Sequence, residues 1–131
     1  MSFDRNTLMR AAEEARQNAY APYSGFAVGA ALLSEDGRIF GGCNVENASY
    51  SLTCCAERGA VMQAVASGAT RFCAVAIVGA PIGEDTDAPC YPCGACLQVL
   101  SEFCDPETPV CLTGGDVTLH DLMPNAFNLG R

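Results

Sequence analysis

Two cysteine groups, Cys55-Ala56-Glu57 and, well downstream, Pro92-Cys93-Gly94-Ala95-Cys96, constrain this chain more than any other stretch. Each opens a segment with helical patterning. A helix N-terminus presents unpaired N–H groups and roughly half a positive charge, so it favours thiolate over thiol. Cys93 and Cys96 are three apart, hence neighbours across one helical turn, and both sulfurs can reach one ion while Cys55 approaches from the start of the other helix. Three sulfur ligands leave a fourth position for water, as catalytic zinc does, whereas four close the site and make zinc structural. Glu57 stands two residues past Cys55, on the first helical turn, where its carboxylate can point back toward the open side.

Three thiolates more than neutralise Zn²⁺, so compensating positive charge is needed. The two helix ends supply part of it, and Arg58 is placed to donate to the sulfurs as an outer partner; its alternative is an ordinary surface ion pair. The spacing has rivals. Cys90, Cys93 and Cys96 form an overlapping C-x-x-C-x-x-C that could begin an iron–sulfur site, although Cys104 follows without ferredoxin spacing. Cys93 and Cys96 opening a helix also suit a thiol–disulfide oxidoreductase. Cys54 or Cys90 as a fourth ligand would give a structural zinc module that presents an interaction surface.

The chain has 131 residues, 50% of them apolar, enough for one core and too few for two, so a single domain over residues 1–131 is expected. No stretch reads as a membrane span. Met1 to Arg10 carries Asp4, Arg5, Asn6 and Arg10 where a signal peptide needs an apolar run, which points to the cytoplasm. Nine cysteines are an odd number in a chain with a full apolar core, and reduced thiols are expected. Cys73 and Cys111 lie in strand-like runs and read as small buried hydrophobes. The net charge is -8 and all seven basic residues are arginine, which disfavours any nucleic acid polymer as partner.

Phe3 to Tyr20 reads as an amphipathic helix with Arg10, Glu13, Glu14 and Arg16 outward, ended by Pro22. Gly25 to Leu33 and Arg38 to Val45 flank Glu35-Asp36-Gly37 as a β-hairpin. Helical patterning covers Cys55 to Ala66, with Gly68 at its end, and Cys93 to Cys104. Phe72 to Val78 reads as a buried strand, Ala80 to Pro92 as the most loop-like stretch, and Val110–Thr113 and Val117–Leu119 as two strands about a glycine turn. This order predicts an α/β fold in three α/β/α layers, with a central mixed sheet of about five strands that starts with the hairpin.

At the residue level the chain resembles the zinc nucleobase deaminases in their all-cysteine form, a class in which zinc activates a water and a glutamate moves the protons. Over nearly its whole length it is similar to small homotetrameric cytidine deaminases. The matching stretches are Ala21 to Leu32, Gly42 to Tyr50, Cys55 to Arg58, Pro92 to Leu100 and Leu122 to Phe127. The resemblance implies zinc, one ion per chain, on Cys55, Cys93 and Cys96, with Glu57 moving protons. It also implies that Phe26 packs on the pyrimidine, that Asn44 and Glu46 bind the ribose 3′-hydroxyl, and that the Ala56 backbone reads the base. Ala48, Tyr50 and Phe127 would act across subunit interfaces; for Phe127 the alternative is a plain core aromatic.

The activity that the resemblance implies is hydrolytic deamination of cytidine and 2′-deoxycytidine to the uridine nucleosides and ammonia, a reaction of pyrimidine salvage. Free nucleoside is preferred over nucleotide, because Glu46 at the ribose gains nothing from a 5′-phosphate and no lysine is present to neutralise one. A deaminase of a modified nucleoside would share the zinc motif. Leu97 stands where many members carry Arg, Gly59 sits inside a helix, and Ala80 to Cys90 is longer and more acidic than usual.

Overall fold

The structure is a computed structural model and describes residues 3–130. Helix α1, Arg5–Arg16, precedes strands β1, Phe26–Ser34, and β2, Ile39–Cys43. A 3₁₀ turn at Tyr50–Leu52 leads to α2, Ala56–Ala66, and β3, Phe72–Pro81. Helix α3, Gly94–Phe103, then β4, Pro109–Leu112, β5, Gly115–Thr118, and α4, Leu119–Leu122, complete the order. The five strands form one mixed sheet in the order β2-β1-β3-β4-β5, parallel between β3 and β4 and antiparallel elsewhere. This is the expected three-layer α/β/α architecture.

Alternation along the strands sorts the core into two slabs. Ala30, Leu32, Val75, Ile77, Val110 and Leu112 face α2 and α3, packing with Ala60, Val61 and Leu100. Their neighbours Ala31, Leu33, Ala74, Ala76, Val78 and Cys111 face α1, against Leu8 and Ala12. Cys111 is fully buried and Cys73 half-buried, as small hydrophobes. The β1–β2 hairpin closes on Gly37, whose φ of +92° suits glycine, while the Asp36 carboxylate accepts hydrogen bonds from Ser34 Oγ and from the N–H and Nε of Arg38.

Several expected boundaries move. Asp4 caps α1 by accepting from the N–H groups of Asn6 and Thr7, so the helix starts after Phe3. It ends at Arg16, well before Pro22, because the N–H groups of Gln17, Asn18 and Ala19 bond three residues back and Tyr20 leaves to donate to Asn44 O. Arg16 is not simply an outward charge: it is half-buried, its Nε donates to Ala27 O and its Nη2 to Ala80 O and Pro81 O. That clamp holds β3 in register as far as Pro81, so the loop begins at Ile82 rather than Ala80. Leu119 opens α4 instead of closing a strand, because Thr118 and Asp121 form a capping box.

The loop after β3 is pinned as well: Thr86 Oγ1 donates to Glu13 Oε1 on α1, and Thr113 Oγ1 donates to Thr86 O. No helix among the described residues is long and apolar enough to cross a membrane.

Close approach of α2 to the sheet fixes where its cysteine-bearing start lies. A Cβ on Gly42 would fall 2.4 Å from both Ala56 O and Ala60 N, so glycine in β2 is what lets the first turns of α2 touch the strand. Gly59, on the same helix, is different: a Cβ there meets Cys43 O at 3.5 Å, an ordinary contact. Alanine should therefore act oppositely at the two positions. In urea unfolding, Gly59→Ala is expected to gain up to about 1 kcal/mol from helix propensity, and Gly42→Ala to lose about 1–3 kcal/mol by overpacking.

Candidate active site

Cys55 and Cys93 are the residues that cap α2 and α3, both in extended backbone conformation, so each side chain leaves its helix at the N-terminal end. Cys96 is one turn into α3 and fully buried. The sulfurs of Cys55, Cys93 and Cys96 all lie within 4.8 Å of one another, and the Cys55 and Cys93 sulfurs are 3.9 Å apart. Tetrahedral zinc, with Zn–S bonds of about 2.3 Å, spaces its sulfurs by about 3.8 Å. The donor set and its dimensions fit zinc with three ligands. Among the described residues this is the group that could hold a metal.

The rival fourth ligands point elsewhere. Cys54 Sγ lies 3.6 Å from Cys55 O, as a donor to that carbonyl. Cys90 packs against the core slab beneath α2 and α3. A Cβ on Gly79 would come within 2.7 Å of Cys90 Sγ and 3.0 Å of Phe26 Cε2, so Cys90 lies beside the Phe26 ring on the bare backbone of β3.

Electrostatics at the cluster follow from burial and the helix ends. Burial acts to raise the Cys93 pKa, yet the N–H groups of Cys96 and Ala95 and the Cys96 and Cys55 thiols donate to its sulfur and hold it below the usual value. Cys96 shifts upward, from burial first and then the neighbouring charges of Glu57 and Cys55. Arg58 Nη2 donates to Cys55 Sγ at 3.2 Å, which makes it an outer partner of the cluster rather than a surface ion pair. Glu57 is only 4% exposed. Burial raises its carboxyl pKa, opposed by hydrogen bonds from its own N–H and from Cys96 and by the Arg58 charge.

Phe26 opens β1 opposite Pro81, partly exposed. Asn44 is buried, its Oδ1 accepting from Val28 N and its Nδ2 donating to Phe26 O, each at 2.9 Å. Glu46 Oε1 accepts from Tyr23 N and Ser24 N, and Oε2 accepts from Ser24 Oγ. Ala56 is fully buried at the start of α2. One chain thus gathers Cys55, Cys93, Cys96, Glu57 and Arg58, while Phe26 and Cys90 lie together against Gly79. It leaves Ala48, Tyr50 and Phe127 at the surface. The Tyr50 ring leans edge-on against Tyr23, and Phe127, 66% exposed and so no core aromatic, has its carbonyl held by Gln98 Nε2.

A family profile described as "Cytidine and deoxycytidylate deaminase zinc-binding region" matches residues 2–112. The chain belongs to the cytidine deaminase family. Membership makes it a hydrolase acting on a C–N bond. It is 49% identical to the cytidine deaminase of Sporosarcina psychrophila over 95% of this chain and 92% of that one. Against the cytidine deaminase of Mycobacterium tuberculosis the identity is 44%, over 96% of this chain and 91% of the relative. The crystal structure of cytidine deaminase from Burkholderia pseudomallei superposes with a TM-score of 0.86 at 48% identity, covering 95% of this chain and 100% of that one.

Sequence reasoning gave no role to Ser24, Arg16 or Gln98, which the fold brings onto Glu46, the ends of β1 and β3, and the Phe127 carbonyl. Ser24 alone had a signal, a hydroxyl beside a glycine turn next to an aromatic. The others act through backbone carbonyls that only the fold brings near.

The buried Glu57 gives the metal-free chain a measurable pH signature. A carboxyl whose pKa is raised on folding stabilises the native state below its ordinary pKa, and that contribution is lost as pH rises through the raised value. Asp4, Asp36, Glu46 and Asp121 are shifted down, so their contributions appear as pH rises to the ordinary carboxylate range and are complete above it. Above the ordinary carboxylate range, Glu57 should therefore cost chelator-treated protein urea resistance as pH rises. The Glu57→Gln chain should show a smaller loss.

Proposed function

We propose that this chain, as one domain over residues 1–131, hydrolytically deaminates cytidine and 2′-deoxycytidine to uridine and 2′-deoxyuridine with release of ammonia. The single observation that carries the reading is the open sulfur triangle of Cys55, Cys93 and Cys96 with the buried Glu57 carboxyl against it. These cysteines would hold one Zn²⁺, which when bound supplies Lewis acidity that lowers the pKa of a water in its fourth position. Arg58 offsets the excess negative charge of the three thiolates by donating to the Cys55 sulfur.

Glu57 handles the protons. Its carboxylate accepts one from the attacking water and delivers it to N3 of the cytosine ring as the water oxygen bonds to C4. It then takes the remaining proton from the new C4 hydroxyl and passes it to the amino group, which leaves as ammonia as the C4–N bond breaks and C4=O forms. The environment suits this shuttle: burial raises the carboxyl pKa above its ordinary value, which makes the carboxylate a better proton acceptor. Phe26 packs on the pyrimidine, the Ala56 backbone reads the base, and Asn44 and Glu46 face the ribose.

Ala48, Tyr50 and Phe127 reach the pocket of a neighbouring copy in a homotetramer. Their exposure on the isolated chain leaves all three available to such a partner. The acidic surface, net charge -8, supports a free nucleoside in the cytoplasm and speaks against a nucleic acid polymer or an anionic membrane.

Loss of cytidine's ultraviolet absorbance on conversion to uridine, read together with metal content, tests the reading. The wild-type chain should bind about one zinc and turn over. Glu57→Ala should keep its zinc and lose turnover by at least about 10²- to 10⁴-fold. Wild-type turnover in that variant would contradict the assignment, and zinc without turnover in the wild type would favour a structural module.

A further inference from the structure

Ser24 sits where the chain turns into β1, just before Gly25, whose φ is +69°. The turn is held from both sides, by Gly25 N donating to Ala21 O and by Ile82 N donating to Gly25 O. Inside it the Ser24 hydroxyl has two partners. It donates to Glu46 Oε2 at 2.5 Å and accepts from Phe26 N at 3.0 Å. Its single proton is thus committed to the carboxylate, and a lone pair is committed to the amide that begins β1. The other carboxylate oxygen, Glu46 Oε1, is filled by Tyr23 N at 2.9 Å and Ser24 N at 3.0 Å.

A carboxylate oxygen accepts about two hydrogen bonds. Oε1 is therefore satisfied within the chain, while Oε2 carries one bond, from Ser24, and keeps one acceptor site for an incoming hydroxyl. The hydrogen bonds from Ser24, the hydroxyl first, also keep Glu46 ionised by lowering its pKa.

We infer that Ser24 is a positioning residue for nucleoside binding, coupling the sugar-facing Glu46 carboxylate to the backbone of the base-packing Phe26. This rests on the proposed roles of Glu46 and Phe26. Through one hydroxyl, the sugar acceptor and the aromatic face are held at a fixed separation before substrate arrives. Asn44 supports the same strand end through Phe26 O and Val28 N, but only Ser24 joins Phe26 to Glu46 directly. An alternative role for the hydroxyl, stabilising the turn and nothing more, predicts a different kinetic result.

Steady-state kinetics of the zinc-loaded full chain with cytidine separate the two. Ser24→Ala should raise KM by about three- to tenfold, the size of one lost hydrogen bond, with kcat within about twofold of wild type. Zinc content and Tm should stay near wild type, and Ser24→Thr, which keeps the hydroxyl, should recover most of the loss. In a Glu46→Ala background the same Ser24→Ala change should alter KM by less than about twofold, because its effect runs through that carboxylate. If Ser24→Ala leaves KM unchanged while Glu46→Ala and Phe26→Ala raise it, the coupling is overturned and the sugar and base contacts stand. If none of the three changes KM, those contacts fail and the coupling with them. A lower Tm with KM rising and kcat falling together, not recovered by Thr, overturns it in favour of a purely structural turn.

Discussion

Three sulfurs and a carboxyl group packed into one small volume would repel one another, and the structure depends on how that repulsion is met. Two helices begin at the same point, each capped by a cysteine, and the first N–H groups of α3, at Ala95 and Cys96, donate to the Cys93 sulfur. Arg58 adds a full positive charge from the first turn of α2. Cation and dipoles together make the cluster tolerable before any ion arrives, and they leave it ready to hold one.

Bringing two helix N-termini together places demands on the sheet. Helix α2 can sit over the β1–β2 hairpin only because Gly42 has no side chain where Ala56 and Ala60 pass. Helix α3 arrives through the parallel crossover from β3 to β4, with Cys90 lodged against Gly79 on the way in. Arg16 reaches from the opposite face of the sheet to the ends of β1 and β3, so the strand end that carries Phe26 is tied to the same frame. The site is thus held by elements from both layers, with small residues at each close contact.

The cluster itself is legible in the sequence, because cysteine spacing at helix starts states a metal geometry almost directly; Cys55, Cys93 and Cys96 meet as their spacing implies. The layer architecture is legible too, from the change of hydrophobic period between Phe26–Ser34 and Ala56–Ala66. Boundaries set by side-chain hydrogen bonds are less so: Asp4 and Thr118 decide where helices begin, and neither belongs to an apolar pattern. Arg16 reads as a solvent-facing charge because periodicity sees its position and not the carbonyls it reaches. Ser24 escapes because its partner Glu46 is distant in sequence. Ala48, Tyr50 and Phe127, bare on one chain, can be read only through the family.

The central claim is an open coordination sphere of three sulfurs. X-ray absorption at the zinc edge of the metal-loaded protein tests it most directly, since sulfur and oxygen shells separate by distance. Three sulfurs at about 2.3 Å and one oxygen at about 2.0 Å are expected. Four sulfurs, with a recruited Cys54 or Cys90, would contradict it.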